Sequence, residues 1–242
     1  MRVGENVVGV IGGMGPAATV EFMRRLVAAT PAPDDMDHLH VLVDNNPKVP
    51  SRIAALIEGT GADPAPALCE MAKGLEAQGA DFLVIPCNTA HYYLPTIARS
   101  VHIPVLDMIG LSVQKLAAVD PKPRRIGLLA SPAVRLVGLY QKRIEEMGLH
   151  AIFPSPDFES RLLEVIKAVK SGQLGTRHQQ DYAAVAKNLM EAGADAFLIA
   201  CTDLSVIGPP LEAACPVVDS LDVLVEATIV TAHGARPLSS IA

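Results

Sequence analysis

Apolar positions along this chain fall into two rhythms. Short continuous apolar runs end in glycine, proline or small polar residues, and between them apolar residues recur at helical spacing. Asn6–Ile11 reads as a strand that ends in the loop Gly12-Gly13-Met14-Gly15-Pro16. A helix over Ala17–Ala29 follows, with Phe22, Leu26 and Ala29 on one face. His38–Asp44 reads as a second strand ending in Asp44-Asn45-Asn46. Pro64–Gln78 has helical spacing through Leu68, Met71, Ala72 and Leu75. Asp81–Pro86 is a continuous apolar strand bounded by Gly79 and Pro86. Strands alternating with helices predict an α/β fold of mostly parallel sheets with helices on their faces.

The pattern then repeats. Gly79-Ala80-Asp81, an apolar run and Cys87-Asn88-Thr89 are echoed by Gly193-Ala194-Asp195, an apolar run and Cys201-Thr202. Ile103-Pro104-Val105-Leu106-Asp107 matches Cys215-Pro216-Val217-Val218-Asp219, and Val8-Gly9-Val10-Ile11 resembles Ile126-Gly127-Leu128-Leu129. The chain therefore reads as a duplicated unit. The predicted domains are 1–118, carrying Cys87, and 119–220, carrying Cys201. The Asp120-Pro121-Lys122-Pro123 stretch has linker chemistry. A helix over about 221–236 is expected to pack back on the first domain. Ligands of open parallel sheets bind beyond the carboxyl ends of the strands. Both cysteines fall just past such an end, so pseudo-symmetric halves bring Cys87 and Cys201 to one cleft from opposite sides.

Composition narrows the setting. Half of the 242 residues are hydrophobic and aromatics make up only 4 % with no Trp, so the cores are built from Ala, Val, Leu and Ile. The net charge of -6 without a basic run gives no electrostatic footing for nucleic acid. The apolar stretch Val7–Val10 is too short for a membrane span or a signal peptide, so the expected location is cytoplasmic with no membrane partner. Four cysteines without a secretion signal point to free thiols. Cys69 and Cys215 are assigned to packing, and Asp107 and Asp219 to holding loops.

Two opposed thiols suit the inversion of a Cα–H centre. One thiolate removes the proton from one face, and the other thiol returns a proton to the opposite face. A reference pKa of about 8.5 puts both states of cysteine within reach. The carbanion needs preorganised donors, for which Asn88, Thr89, Thr202 and loop N–H groups are the candidates. Cys87 and His91 have no further ligand pair at metal spacing, so no metal is expected. The glycine loop fits neither G-x-G-x-x-G nor a P-loop; it is a tight turn that presents backbone N–H groups to an anion.

Gly12-Gly13-Met14-Gly15-Pro16, Asp44-Asn45-Asn46 with Pro50-Ser51-Arg52, Pro86-Cys87-Asn88-Thr89-Ala90-His91 and Cys201-Thr202-Asp203 together resemble the aspartate/glutamate racemase family, in particular its aspartate racemase branch. The resemblance runs in order along nearly the whole chain. It implies two flavodoxin-like domains and a cofactor-independent, two-cysteine racemisation of an acidic amino acid, aspartate or also glutamate. Cys87 and Cys201 match the acid/base pair. Asn88, Thr89 and Thr202 match the positions that hold the α-carboxylate and amino group. Arg52 matches the grip on the side-chain carboxylate, Lys170 a second cationic contact, and Met14 and Asn46 the site lining. His91 and Asp203 are assigned supporting roles. Asp203 stands where the family often has Glu, and the first loop lacks the Asp-Ser pair usual in glutamate racemases. The resemblance points to a homodimer. The alternatives on this frame are a hydantoin racemase, a diacid cis–trans isomerase, a decarboxylase, or a non-catalytic amino-acid sensor.

Overall fold

The computed structural model describes residues 5–210 and 215–234, together with the main chain of Ser240 and Ile241. The first half runs β1 (Val8–Gly12), α1 (Pro16–Ala29), β2 (Val41–Asn45), α2 (Ala65–Ala77), β3 (Phe82–Val84), α3 (Leu94–Ala98), β4 (Val105–Leu106) and α4 (Met108–Ala117). The second half runs β5 (Arg125–Ala130), α5 (Pro132–Leu136), α6 (Gln141–Glu146), β6 (His150–Ile152), α7 (Pro156–Ser171), α8 (Thr176–Glu191), β7 (Ala196–Ala200), α9 (Thr202–Ser205) and β8 (Val217–Asp219). Then come α10 (Ser220–Ala232) and a short strand, β9 (Ser240–Ile241).

The sheets are β2-β1-β3-β4-β9 and β6-β5-β7-β8. All pairs are parallel except β4 with β9, which is antiparallel at the edge. The first four strands of one sheet and the four of the other share a single order, which is the flavodoxin-like order. The duplication read from the sequence is thus a duplication of topology.

The repeated residues have one structural job in each half. The Asp81 carboxylate accepts from the Val7 N–H just ahead of β1, and Asp195 accepts from the Arg124 and Arg125 N–H groups at the start of β5. Each aspartate ties the start of a central strand to its neighbour. Gly9 and Gly127 sit in those central strands. A Cβ on Gly9 would lie 2.5 Å from Leu83 Cδ2, and one on Gly127 2.8 Å from Phe197 Cδ1. The glycines leave room for a large apolar side chain on the next strand.

The element boundaries shift by a few residues from those expected. Asn6 and Val7 lie outside β1, the second strand starts at Val41 rather than His38, and the third ends at Val84, before Pro86, which has no N–H to give the ladder. Helix α10 ends at Ala232; positions 235–236 of the expected helix lie outside the described residues. The capping aspartates behave alike. Asp107 accepts from Gly110 N–H at the start of α4, and Asp219 from Leu221 N–H at the start of α10.

Among the described residues, three apolar clusters form the interior. Two are local: one under α2 and α3 of the first half, one under α7 and α8 of the second. The third is shared. It joins Val10, Phe22 and Val84 of the first half to Leu128, Leu198 and Tyr140 of the second, through Leu111, Leu116, Leu221 and Leu224 of α4 and α10. Helix α10 packs against both α4 and α1. A polar clasp reinforces this face. Arg25 of α1 bonds Asp219 and Asp222, each at 2.7 Å, and the Ser205 carbonyl. Glu21 accepts from Arg24 and Arg25, and these bonds hold its carboxyl down to about 2.

Candidate active site

Both halves deliver the ends of their central strands to one cleft. The loop after β1 and the Cys87 loop after β3 come from the first half. Ser131, after β5, and Cys201, after β7, come from the second. Between them lies a cavity of about 420 Å³. Its lining includes Met14, Arg52, Cys87, Asn88, Thr89, Lys170, Cys201, Thr202 and Asp203, nine of the residues singled out in the sequence. It also includes residues to which the sequence assigns no role: Pro47, Val49, Ile53, Ser131 and Ile166. Ser131 occupies in β5 the place of the glycine loop in β1, so the repeat itself was the signal for it. Ile166 lies on the buried face of α7 and carries no such signal.

The two thiols have different surroundings. Cys201 is buried and its Sγ–H faces Asp203 Oδ2 at 3.9 Å. Burial first, and then the Asp203 carboxylate, push this thiol up to about 12, against the opposing pull of Lys170. Lys170 Nζ lies 2.6 Å from the same Oδ2. Burial works against the charge of Lys170, but Asp203 and the nearby cysteines outweigh it and raise its ammonium above the usual value. Asp203 Oδ1 is buried without a hydrogen-bond partner. It lies where a Cβ on Gly15 would be 2.9 Å away, so the glycine lets the first-half loop close over the carboxylate.

The glycine loop is braced from both sides. The Met14 carbonyl accepts from Arg52 Nη2 at 2.9 Å and from Lys170 Nζ at 3.5 Å. Arg52 Nη1 donates to the Pro50 carbonyl at 2.9 Å, while its buried Nε has no partner. The Gly13 N–H is taken by Thr19 Oγ1 at 2.9 Å, so it is not free for an anion. Gly13 itself has φ of 92°, and a Cβ there would stand 2.3 Å from the Asn46 main chain. Only glycine fits both the angle and the space.

Asn46, His91, Thr202 and Asn88 each have defined hydrogen-bond partners. Asn46 does not line the cavity. Its main chain packs against Gly13 and its Oδ1 accepts from the Lys48 N–H at 2.9 Å, which closes the turn after β2. His91 supports the Cys87 loop through that loop's main chain. The Met108 N–H donates to its Nε2 at 3.2 Å, so the ring proton sits on Nδ1 and is donated to the Cys87 carbonyl at 2.9 Å. Burial holds this imidazole below its usual value and keeps it neutral. Thr202 lines the cavity, but its hydroxyl donates across the halves to the Pro86 carbonyl at 3.0 Å. Asn88 lines it with its amide tied to Tyr140 Oη at 2.5 Å and to Ser220 Oγ at 3.0 Å. Thr89 and Ser131 face each other across the halves at 3.3 Å. The second half therefore grips the Cys87 loop at Pro86, Asn88 and Thr89. No spacing in the sequence singles out Tyr140 or Ser220.

Among the described residues no group of three or more His, Cys, Asp or Glu side chains is placed to hold a metal ion, and no helix is long and apolar enough to cross a membrane.

The doubled α/β frame brings a thiol from each mirrored strand end to one cavity. Residues 11–228 match the Asp/Glu/hydantoin racemase family. The chain belongs to that family and is an enzyme of the racemase class. It is 26% identical over 232 residues to the broad specificity amino-acid racemase RacX of Bacillus subtilis, covering 93% of this chain and 97% of that one. It is 27% identical over 156 residues to the glutamate racemase of Persephonella marina, covering 63% and 58% of the two chains. Among solved structures, the aspartate racemase of Picrophilus torridus superposes with a TM-score of 0.80 at 29% identity, over 96% of this chain and 95% of the other.

Proposed function

We propose that this protein racemises an acidic amino acid, aspartate or also glutamate, without a cofactor, using Cys87 and Cys201 as the two proton carriers. The observation that carries this reading is that both thiols, one from each half, line a single cavity of about 420 Å³, a volume in the range that holds small ligands. The thiolate of one cysteine takes the Cα proton and leaves the electron pair on carbon, delocalised into the carboxylate. The S–H of the other gives its proton to the opposite face. The pair ends the turnover with its protons exchanged. Because Cys201 is held protonated, its resting role is acid, and Cys87 is the base for the enantiomer whose Cα–H faces it. Arg52 and Lys170 supply the positive charge for substrate carboxylates, and Asn88 and Thr89 supply donors at the reacting end.

One feature favours a wider substrate range. Lys170 already lies against Asp203, so a second substrate carboxylate must share it. A neutral side chain meets Met14, Val49, Ile53 and Ile166 with no such competition. Breadth of this kind also fits the likeness to RacX. Deuterium uptake at Cα from solvent, measured for both enantiomers of aspartate, glutamate and methionine without pyridoxal phosphate, separates these readings. Fastest exchange with the diacids supports the first, and fastest exchange with methionine the second. No exchange with any of them overturns both.

The Cys201 environment gives a pH prediction. The working pair carries one proton, and losing the last proton ends activity. With the Cys201 thiol pushed up to about 12, wild-type kcat should show no thiol-dependent fall below about pH 10. Asp203→Asn removes the negative neighbour and leaves Lys170 beside the sulfur. Both effects lower the thiol, so a descending alkaline limb should enter the measured range. A kcat profile unchanged from wild type would show that Asp203 does not tune Cys201.

A further inference from the structure

Asn88 follows Cys87 directly and lines the cleft, yet two of its four hydrogen-bonding positions are already used. The Tyr140 hydroxyl, at the N-terminal end of α6 in the second half, donates to Asn88 Oδ1 at 2.5 Å. Asn88 Nδ2 donates to Ser220 Oγ at 3.0 Å, at the start of α10. All three side chains are buried, Tyr140 and Ser220 completely. One N–H and one carbonyl lone pair of the amide remain.

We infer that Tyr140 is a positioning residue for the proton transfer: with Ser220 it fixes the rotation of the Asn88 amide, so that the remaining N–H is presented to the substrate beside Cys87. This rests on the two-thiol reading of the site. An asparagine amide is free to turn end over end unless its partners distinguish oxygen from nitrogen. Here the two contacts together make that distinction: the oxygen accepts from the Tyr140 hydroxyl and the nitrogen donates to Ser220 Oγ. Burial pushes the Tyr140 hydroxyl well above the usual range, so it stays a donor at every working pH. With the amide oxygen facing Tyr140, the nitrogen is left to Ser220 and the cleft. The arrangement also makes the reacting end of the first half depend on the second. The donor beside Cys87 is oriented only when α6 and α10 are docked. A donor aimed at the enediolate acts in the transition state and little in the ground state.

The test is a double-mutant cycle on the full chain, with the Cys87→Ala variant as a control. Tyr140→Phe keeps the ring in place and removes the hydroxyl. Its kcat for racemisation should fall by about tenfold to a hundredfold, with KM changed much less. In an Asn88→Ala background the same substitution should change kcat by less than about twofold, because its effect passes through the amide. Ser220→Ala, which removes the other anchor, should show the same disappearance in that background. It also gives the answer if Tyr140→Phe does not fold. Wild-type kcat in Tyr140→Phe, or an equal loss in both backgrounds, overturns the inference. An active Cys87→Ala variant would instead overturn the two-thiol reading beneath it.

Discussion

Cys87→Ala and Cys201→Ala should each abolish racemisation, with a loss of about 10³-fold or more in kcat, while isotope exchange survives on one face in each. A positioned acid or base contributes on the order of 10² to 10⁴, and inversion needs both. With Cys201 gone, Cys87 still removes a proton from the enantiomer that faces it, exchanges that proton with solvent and returns a deuteron to the same face. Configuration is retained, and deuterium enters one enantiomer. With Cys87 gone, the opposite enantiomer should exchange, and more slowly, because the Cys201 thiol is pushed up to about 12 and little of it is thiolate near neutrality. The measurement is NMR of the Cα–H signal combined with chiral chromatography. Racemisation near the wild-type rate in either variant, or exchange into the same enantiomer in both, would rule out two opposed bases.

The second large effect is expected at Arg52. Its guanidinium spans the Pro50 and Met14 carbonyls, each at 2.9 Å, and leaves the buried Nε without a partner. It is therefore the brace between the glycine loop and the Pro50 turn, and it lines the cavity where the proposed reading places a substrate carboxylate. Lysine is a point charge and cannot reproduce a planar fork. Arg52→Lys should lower kcat/KM for a dicarboxylic substrate by about 10²-fold, mainly through KM, since charge-assisted bidentate contacts are the strong ones. The loss should be smaller for methionine. Equal losses for both substrates would mean that Arg52 acts only as a brace.

Much of this was legible in the sequence because the duplication supplied its own control. Cys87 and Cys201 were located by two copies of one strand-end motif, and both strands and thiols lie where the repeat placed them. Lys170 was reachable only through resemblance, since nothing in Val169-Lys170-Ser171 shows that α7 ends over the cleft of the other half. The partners of Asn46 and His91 were hidden for a related reason. Sequence shows that a polar residue is near a motif, but not which way its hydrogen bonds run. Asn46 spends its oxygen on its own turn, and His91 spends both nitrogens on main chain. Tyr140 was invisible because its partner Asn88 lies 52 residues earlier, in the other half. Contacts made by packing two sheets together have no local period to betray them.

The apolar cluster shared through α4 and α10 has a consequence for how the molecule holds its shape. Neither half is closed on its own: a fragment carrying either one alone would leave a broad oily face in water. Urea should therefore melt both together in a single cooperative step, read as coincident transitions by two probes.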